Sequence, residues 1–181
     1  MRKLDVIVRR LADTTAAEIA EAAMVLPLVF MFLLGIIWFG RVFNIYSTIT
    51  QAAQQGAITA ARSTCATCGD TAPNDTAVYN TVSAVLQASS IDPTQIPANP
   101  SPPSPVFCAS PPVPPPSGCT TNNQVTVCRQ VLLNPPAASG QPAQCGTMVS
   151  FQYPFQFYLP FTSLNLQKVT LTAQAQSRME N

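Results

Sequence analysis

From position 22 to position 40 the chain reads Ala-Ala-Met-Val-Leu-Pro-Leu-Val-Phe-Met-Phe-Leu-Leu-Gly-Ile-Ile-Trp-Phe-Gly, an uncharged apolar run entered at Glu21 and left at Arg41. As an α-helix rising about 1.5 Å per residue it reaches roughly 28 Å, close to the ~30 Å hydrocarbon layer of a bilayer. A single membrane crossing is expected. Helical periodicity continues through Val42, Ile45, Ile49 and Ala53 with no breaker before Cys65, so one helix is predicted over 17–62, with the span at 22–40. On its second half Ala52, Gly56 and Ala60 fall four apart, as do Ala53, Ala57 and Ala61. Such a strip suits close approach of another backbone, whether the protein's own sheet or a second subunit. Pro27 removes one backbone hydrogen bond inside the span and predicts a bend or local opening. Trp38 and Tyr46 suit the outer interface as anchors.

Beyond the helix the pattern changes three times. Residues 75–89 place Val78, Val82, Val85 and Leu86 on one helical face, with Asp75 positioned as an N-cap. Over 91–116 Pro recurs every few residues, which forbids regular backbone pairing and predicts an extended, partly polyproline loop. This loop reads either as a surface spacer or as a ligand for an aromatic-lined groove. Then period-two alternation appears: Val125, Val127, Arg129 and Val131 against their neighbours, again over 148–153 after a connection at 134–146, and last over 168–177. The first two strands predict a hairpin. In the last, Val169, Leu171, Ala173 and Ala175 should face inward, and Thr170, Thr172, Gln174 and Gln176 outward. Residues 151–161, rich in Phe and Tyr, form the densest aromatic stretch outside the span, as core or as a resting surface on a membrane or partner. The expected fold class is α+β: one long helix whose second half packs on a small antiparallel sheet.

Composition narrows the function. A chain of 181 residues holds this span and one modest domain over 63–181, which excludes a large multi-domain enzyme. Beyond Arg62, Arg129, Lys168 and Arg178 stand against Asp70, Asp75, Asp92 and Glu180, a net charge of 3 − 4 = −1, so no nucleic-acid partner is indicated. There is no His, which removes the commonest general base and metal ligand. No catalytic residues, metal, cofactor or small-molecule substrate are assigned.

The six cysteines are Cys65, Cys68, Cys108, Cys119, Cys128 and Cys145. With 9% charged residues and 18 Pro, the domain is loop-rich and needs bracing that disulfides supply. Cys65-Ala-Thr-Cys68 lacks a surrounding βαβ pattern and a second metal-binding pair, so a structural disulfide at the helix end is favoured over redox or zinc chemistry. Cys108 and Cys119 bracket the second half of the Pro-rich loop, and Cys128 with Cys145 is a candidate bridge across the hairpin. Six cysteines permit 15 complete pairings, so the assignment stays open.

The N-terminus fixes the direction of insertion. Arg2, Lys3, Arg9 and Arg10 outnumber Asp5 and Asp13 before the span, so the N-terminus should remain cytoplasmic and the residues after Arg41 should be exported. The order is basic leader, small residues Thr14-Thr15-Ala16-Ala17, an acid at Glu21, then the span. It is the reverse of a secretory signal, where small residues follow a shorter apolar core, and it resembles a type IV prepilin leader. Residues 22–41, with Val-Leu-Pro-Leu at 25–28 and Phe39-Gly40-Arg41, are similar to the TadE-like family of pseudopilins. The Ala-rich segment 51–61, the Tyr-Pro-Phe at 153–155 and the closing strand also resemble that family, whereas the middle of the chain does not.

That resemblance implies a prepilin-type leader over 1–16, cut by a prepilin peptidase between Ala16 and Ala17, leaving Glu21 as the fifth mature residue. Gly usually precedes the cut; this chain has Ala. A carboxylate held near the bilayer core is costly and calls for a cationic partner, which the new α-amino group of a neighbouring subunit would supply. The implied role is a minor pseudopilin, a structural protein of the inner membrane with a periplasmic C-terminal domain, acting in tight-adherence (Flp-type) pilus assembly or secretion without chemistry of its own. Its partners would be the membrane, the prepilin peptidase, other pilins or pseudopilins and the assembly platform. Two alternatives are a membrane-tethered thiol oxidoreductase using Cys65 and Cys68, and a permanently anchored adhesin using the Pro-rich and aromatic segments.

Overall fold

The computed structural model describes residues 14–62, 72–97, 105–108, 118–134, 144–156 and 168–179, with side chains of the first helix from Glu18 onward. That helix, α1, is Thr14–Ala61, 48 residues with Pro27 inside it. The chain divides into two units, Met1–Phe43 and Asn44–Asn181. In the first, no side chain from 18 to 43 is buried, although nearly all are apolar.

In the second unit the same helix changes character. Ile49, Ala52, Ala53, Gly56, Ala57, Ala60 and Ala61 are buried, while Gln51, Gln54 and Gln55 are exposed. The small residues of the predicted strip therefore pack inside their own domain. Helix α2 is Asp75–Ala88 and buries Val78, Val82 and Leu86. Val82 Cγ2 would lie 2.7 Å from a Cβ added at Gly56, with Val149 Cγ1 at 3.4 Å and Val78 Cγ1 at 3.6 Å. Gly56 is thus a point where α1, α2 and the sheet approach closely.

The N-cap of α2 is Asn74, not Asp75: the Asn74 Oδ1 accepts from the Ala77 N–H at 2.8 Å. Asp75, one residue inside, is engaged elsewhere by Arg129. At the other end Ser90 takes the left-handed conformation (φ 58°), its N–H bonds Gln87 O at 2.9 Å and the Ile91 N–H bonds Leu86 O at 2.9 Å. This is the Schellman arrangement, and Ile91 and Leu86 both enter the core. A short 3₁₀ turn, Pro93–Gln95, follows, capped by Asp92, whose carboxylate accepts from the Thr94 N–H and hydroxyl. Those bonds hold the Asp92 carboxyl below its usual pKa.

Four antiparallel strands follow in meander order: β1 Gly118–Asn122, β2 Val125–Leu132, β3 Cys145–Gln156 and β4 Lys168–Arg178. Strand β1 was not expected from the sequence. It joins β2 through Asn123 and Gln124, both at positive φ (44° and 65°), the two-residue turn that matches strand twist. Residues 105–108 of the Pro-rich stretch, predicted to avoid backbone pairing, form a bridge from Phe107 to Val131, with Cys108 N–H bonding Gln130 O at 2.8 Å and Leu132 N–H bonding Val106 O at 2.7 Å. Val106, Phe107 and Cys108 lie between Pro105 and Pro111, so this short window keeps its backbone donors.

The core lies between the helices and one sheet face, to which Val125, Val127, Val149, Phe151 and Ala173 contribute. Alternation fails once, at Gln130 (φ 58°), where the register between β2 and β3 slips. Arg129 pairs with Thr147, Val131 with Gly146, and Val131 joins Cys128 and Met148 in a separate cluster. A bulge thus turns Val131 to the face opposite the one its spacing predicts. Strand β3 is longer than expected and contains Pro154, which is tolerated because beyond Ser150 β3 pairs with β4 alone. In β4, Ala173 is buried, Leu171 and Ala175 are half-buried, and Val169 is exposed rather than inward.

Two disulfides brace the sheet: Cys108–Cys145 and Cys119–Cys128. The hairpin bridge between Cys128 and Cys145 is not formed. Cys128 stands opposite Cys119 on one side and Met148 on the other, whereas Cys145 pairs with Leu132, four positions along the strand. One of those four is the bulged residue, so Cys145 stands three positions from Met148 along β3, roughly 10 Å at about 3.3 Å per residue and beyond the reach of a disulfide. Cys65 and Cys68 lie outside the described residues, as do the leader positions before Thr14 and the aromatic positions 157–161.

Candidate functional site

The residues singled out for assembly all lie on α1. The helix includes Ala16 and Ala17 in its first turns, where helix ends fray most readily. Glu21 is exposed. At 100° per residue, positions seven apart fall on almost the same side, so Glu21, Leu28 and Gly35 follow one another along one line. An open apolar groove occupies that side, lined among others by Leu28, Met31, Phe32, Gly35, Phe39 and Phe43. Apart from the adjoining backbone of the helix itself, neither Gly35 nor Gly40 has an atom within 4 Å of where a Cβ would stand. Their lack of a side chain leaves open space beside the helix and relieves no internal contact, unlike Gly56.

At the distal end of the run the Arg41 guanidinium carbon lies 5.7 Å from the Trp38 ring centroid, a cation–π distance. Phe39 is exposed, and Pro27 is carried inside the helix without interrupting it. Sequence reading picked out Pro27, Phe39, Gly40 and Arg41 but passed over Gly35. The signal was there in its seven-residue spacing from Leu28 and Glu21.

Within the second unit the polar chemistry is structural. Arg129 is buried, yet its Nη1 is 2.7 Å from Asp75 Oδ1 and its Nη2 donates to Pro73 O at 2.7 Å. Asn122 Nδ2 donates to Thr76 Oγ1 at 3.1 Å, and Thr147 Oγ1 to Ala57 O at 3.2 Å. Together these bonds tie the start of α2 and the last turns of α1 to the sheet. The Tyr153 phenol is pushed above its ordinary pKa by burial and by the nearby Asp92 charge. Of the aromatic stretch, Phe151 and Phe155 are core. Among the described residues no cysteine is free, and no group of His, Cys, Asp or Glu side chains is placed to hold a metal.

One helix among the described residues, over Glu18–Ala61, is long and apolar enough to cross a membrane. No curated protein and no solved structure matches the chain. Residues 16–57 match the family model for TadE-like protein, a span that opens at Ala16, takes in Glu21 and the whole apolar run, and closes at Ala57 in the small-residue strip. Over those residues the chain is similar to TadE-like proteins.

Proposed function

We propose that this chain is a minor pseudopilin-like structural protein of a tight-adherence (Flp-type) pilus system. It is anchored once in the inner membrane, with a cytoplasmic N-terminus and a disulfide-braced domain outside. A prepilin peptidase cuts between Ala16 and Ala17, and the Glu21 carboxylate meets the new amino group of a neighbouring subunit. Subunits pack laterally through the groove that Glu21 heads. The reading is carried by one coincidence: the TadE-like match covers the unburied apolar helix, and Glu21 lies on the same side as the groove.

The reading is tested by the mature N-terminus and by Glu21→Gln. In cells with active prepilin peptidase, mass spectrometry of the membrane form should find Ala17 first. Glu21→Gln keeps the size but removes the charge, so it should leave insertion and cutting intact and reduce recovery with pilus components by tenfold or more, as expected when one partner of a desolvated charge pair is lost. A chain that still begins at Met1, or a Glu21→Gln variant that assembles normally, refutes the respective half of the proposal.

A further inference from the structure

We infer that β4 is the seam of a homodimer, in which the sheets of two copies join antiparallel about a two-fold axis through Ala173. The two edges of the sheet are treated differently. On one, β1 is only five residues long, is fastened by Cys119–Cys128, and the strand beside it continues with residues 105–108 on the end of β2. On the other, β4 runs eleven residues in unbroken register with β3 and pairs with no further strand among the described residues. It has no Pro, no bulge and no charge between Lys168 and Arg178, the devices by which natural edges discourage addition of another strand.

The strand also matches itself. An antiparallel pairing centred on Ala173 sets Thr172 opposite Gln174, Thr170 opposite Gln176, Leu171 opposite Ala175 and Val169 opposite Ser177 of the second copy. Polar positions then meet polar ones on the outer face, and the largest apolar side chains meet small ones on the core face. The core is unfinished at this edge. Val169 is 42% exposed, and Leu171 and Ala175 are only half-covered against the cluster that contains Phe151 and Ala173. A second copy continues the sheet and covers all three. Only the ends oppose the pairing, since Lys168 falls opposite Arg178 twice by symmetry. Both are exposed, so the repulsion is weak and screened by salt.

Those ends give a test that association through the apolar helix does not mimic. The full chain in detergent micelles is followed by analytical ultracentrifugation over a concentration series. Lys168→Glu turns two repulsive contacts into two attractive ones and should tighten the dimer about tenfold. Added salt should strengthen the wild-type dimer and weaken that of Lys168→Glu. Thr172→Lys with Gln174→Lys, both at exposed positions, sets lysines directly opposite one another and should weaken it about tenfold or more, with circular dichroism unchanged. Amide exchange in β4 should slow as concentration rises. A chain that is monomeric throughout, or a self-association that none of these variants shifts by more than twofold, overturns the inference.

Discussion

Gly56 governs how closely α1 and α2 approach, because Val82 occupies the space that any side chain there would need. Alanine would favour the helix by about 1 kcal/mol, but Val82 is fully buried and stiff at χ1, so overpacking of about 1–3 kcal/mol should outweigh that gain. Gly56→Ala is expected to lower domain stability by about 1 kcal/mol in denaturant titrations of the detergent-solubilised chain. Gly35→Ala, with nothing within 4 Å, should leave that titration unchanged. The contrast separates a glycine required by the chain's own core from one that leaves space outside it. Arg129 shows a similar division of labour. Alternation places it on the core face, where a charge is normally costly, and Asp75 together with the Pro73 carbonyl offsets that cost.

At the scale of elements, the two disulfides do unequal work. Cys108–Cys145 spans 37 positions and Cys119–Cys128 spans nine, so on the chain-entropy model the first restricts the unfolded chain by about 4 kcal/mol and the second by about 2.5 kcal/mol. Replacing Cys108 and Cys145 with Ala should therefore destabilise the domain more than replacing Cys119 and Cys128, with the difference read from denaturation midpoints. It should also speed proteolysis at 105–108, which would retain only the backbone bonds between this segment and β2. The long helix, α2 and the last three strands were legible because each rests on a periodic run of apolar residues. Strand β1 was not, because Gly-Cys-Thr-Thr-Asn carries no apolar alternation; its only mark is Asn123, a residue tolerant of positive φ, between two β-prone stretches. Disulfide partners were illegible for a different reason. They follow from register: Cys119 faces Cys128 from the strand that has no apolar signal, and Cys145 is placed by the register beyond a bulge at Gln130, a residue type with no special preference for positive φ.

For the molecule as a whole, the expected topology rests on charge before the span rather than on anything in the folded domain. Arg2, Lys3, Arg9 and Arg10 outweigh Asp5 and Asp13, and a reporter active only outside the cytoplasm should work when fused after Asn181. Replacing the four basic residues with Gln should reduce that signal severalfold and raise the signal of a cytoplasmic reporter at the same site. The candidate site was readable from sequence as far as Glu21 and the apolar run. The small-residue strip was not decided, because spacing alone cannot tell whether the approaching backbone belongs to the same chain. Its burial beneath α2 and β3 answers that for Ala52, Ala53, Gly56, Ala57, Ala60 and Ala61.

The bulge at Gln130 also bears on how this domain tolerates changes in length. A residue lost from a connection between strands shortens a loop and leaves both neighbours facing as before. Losing Gln130 would close the bulge and leave Arg129 and Val131 as neighbours on opposite faces, set against Thr147 and Gly146 as they already are. Val131 would keep its place beside Met148 and Cys128, and what would vanish is the carbonyl that receives the Cys108 N–H. The one position in β2 that is extra to the strand is thus one it can lose in register, and its service is to hold residues 105–108 rather than to set the faces of β2.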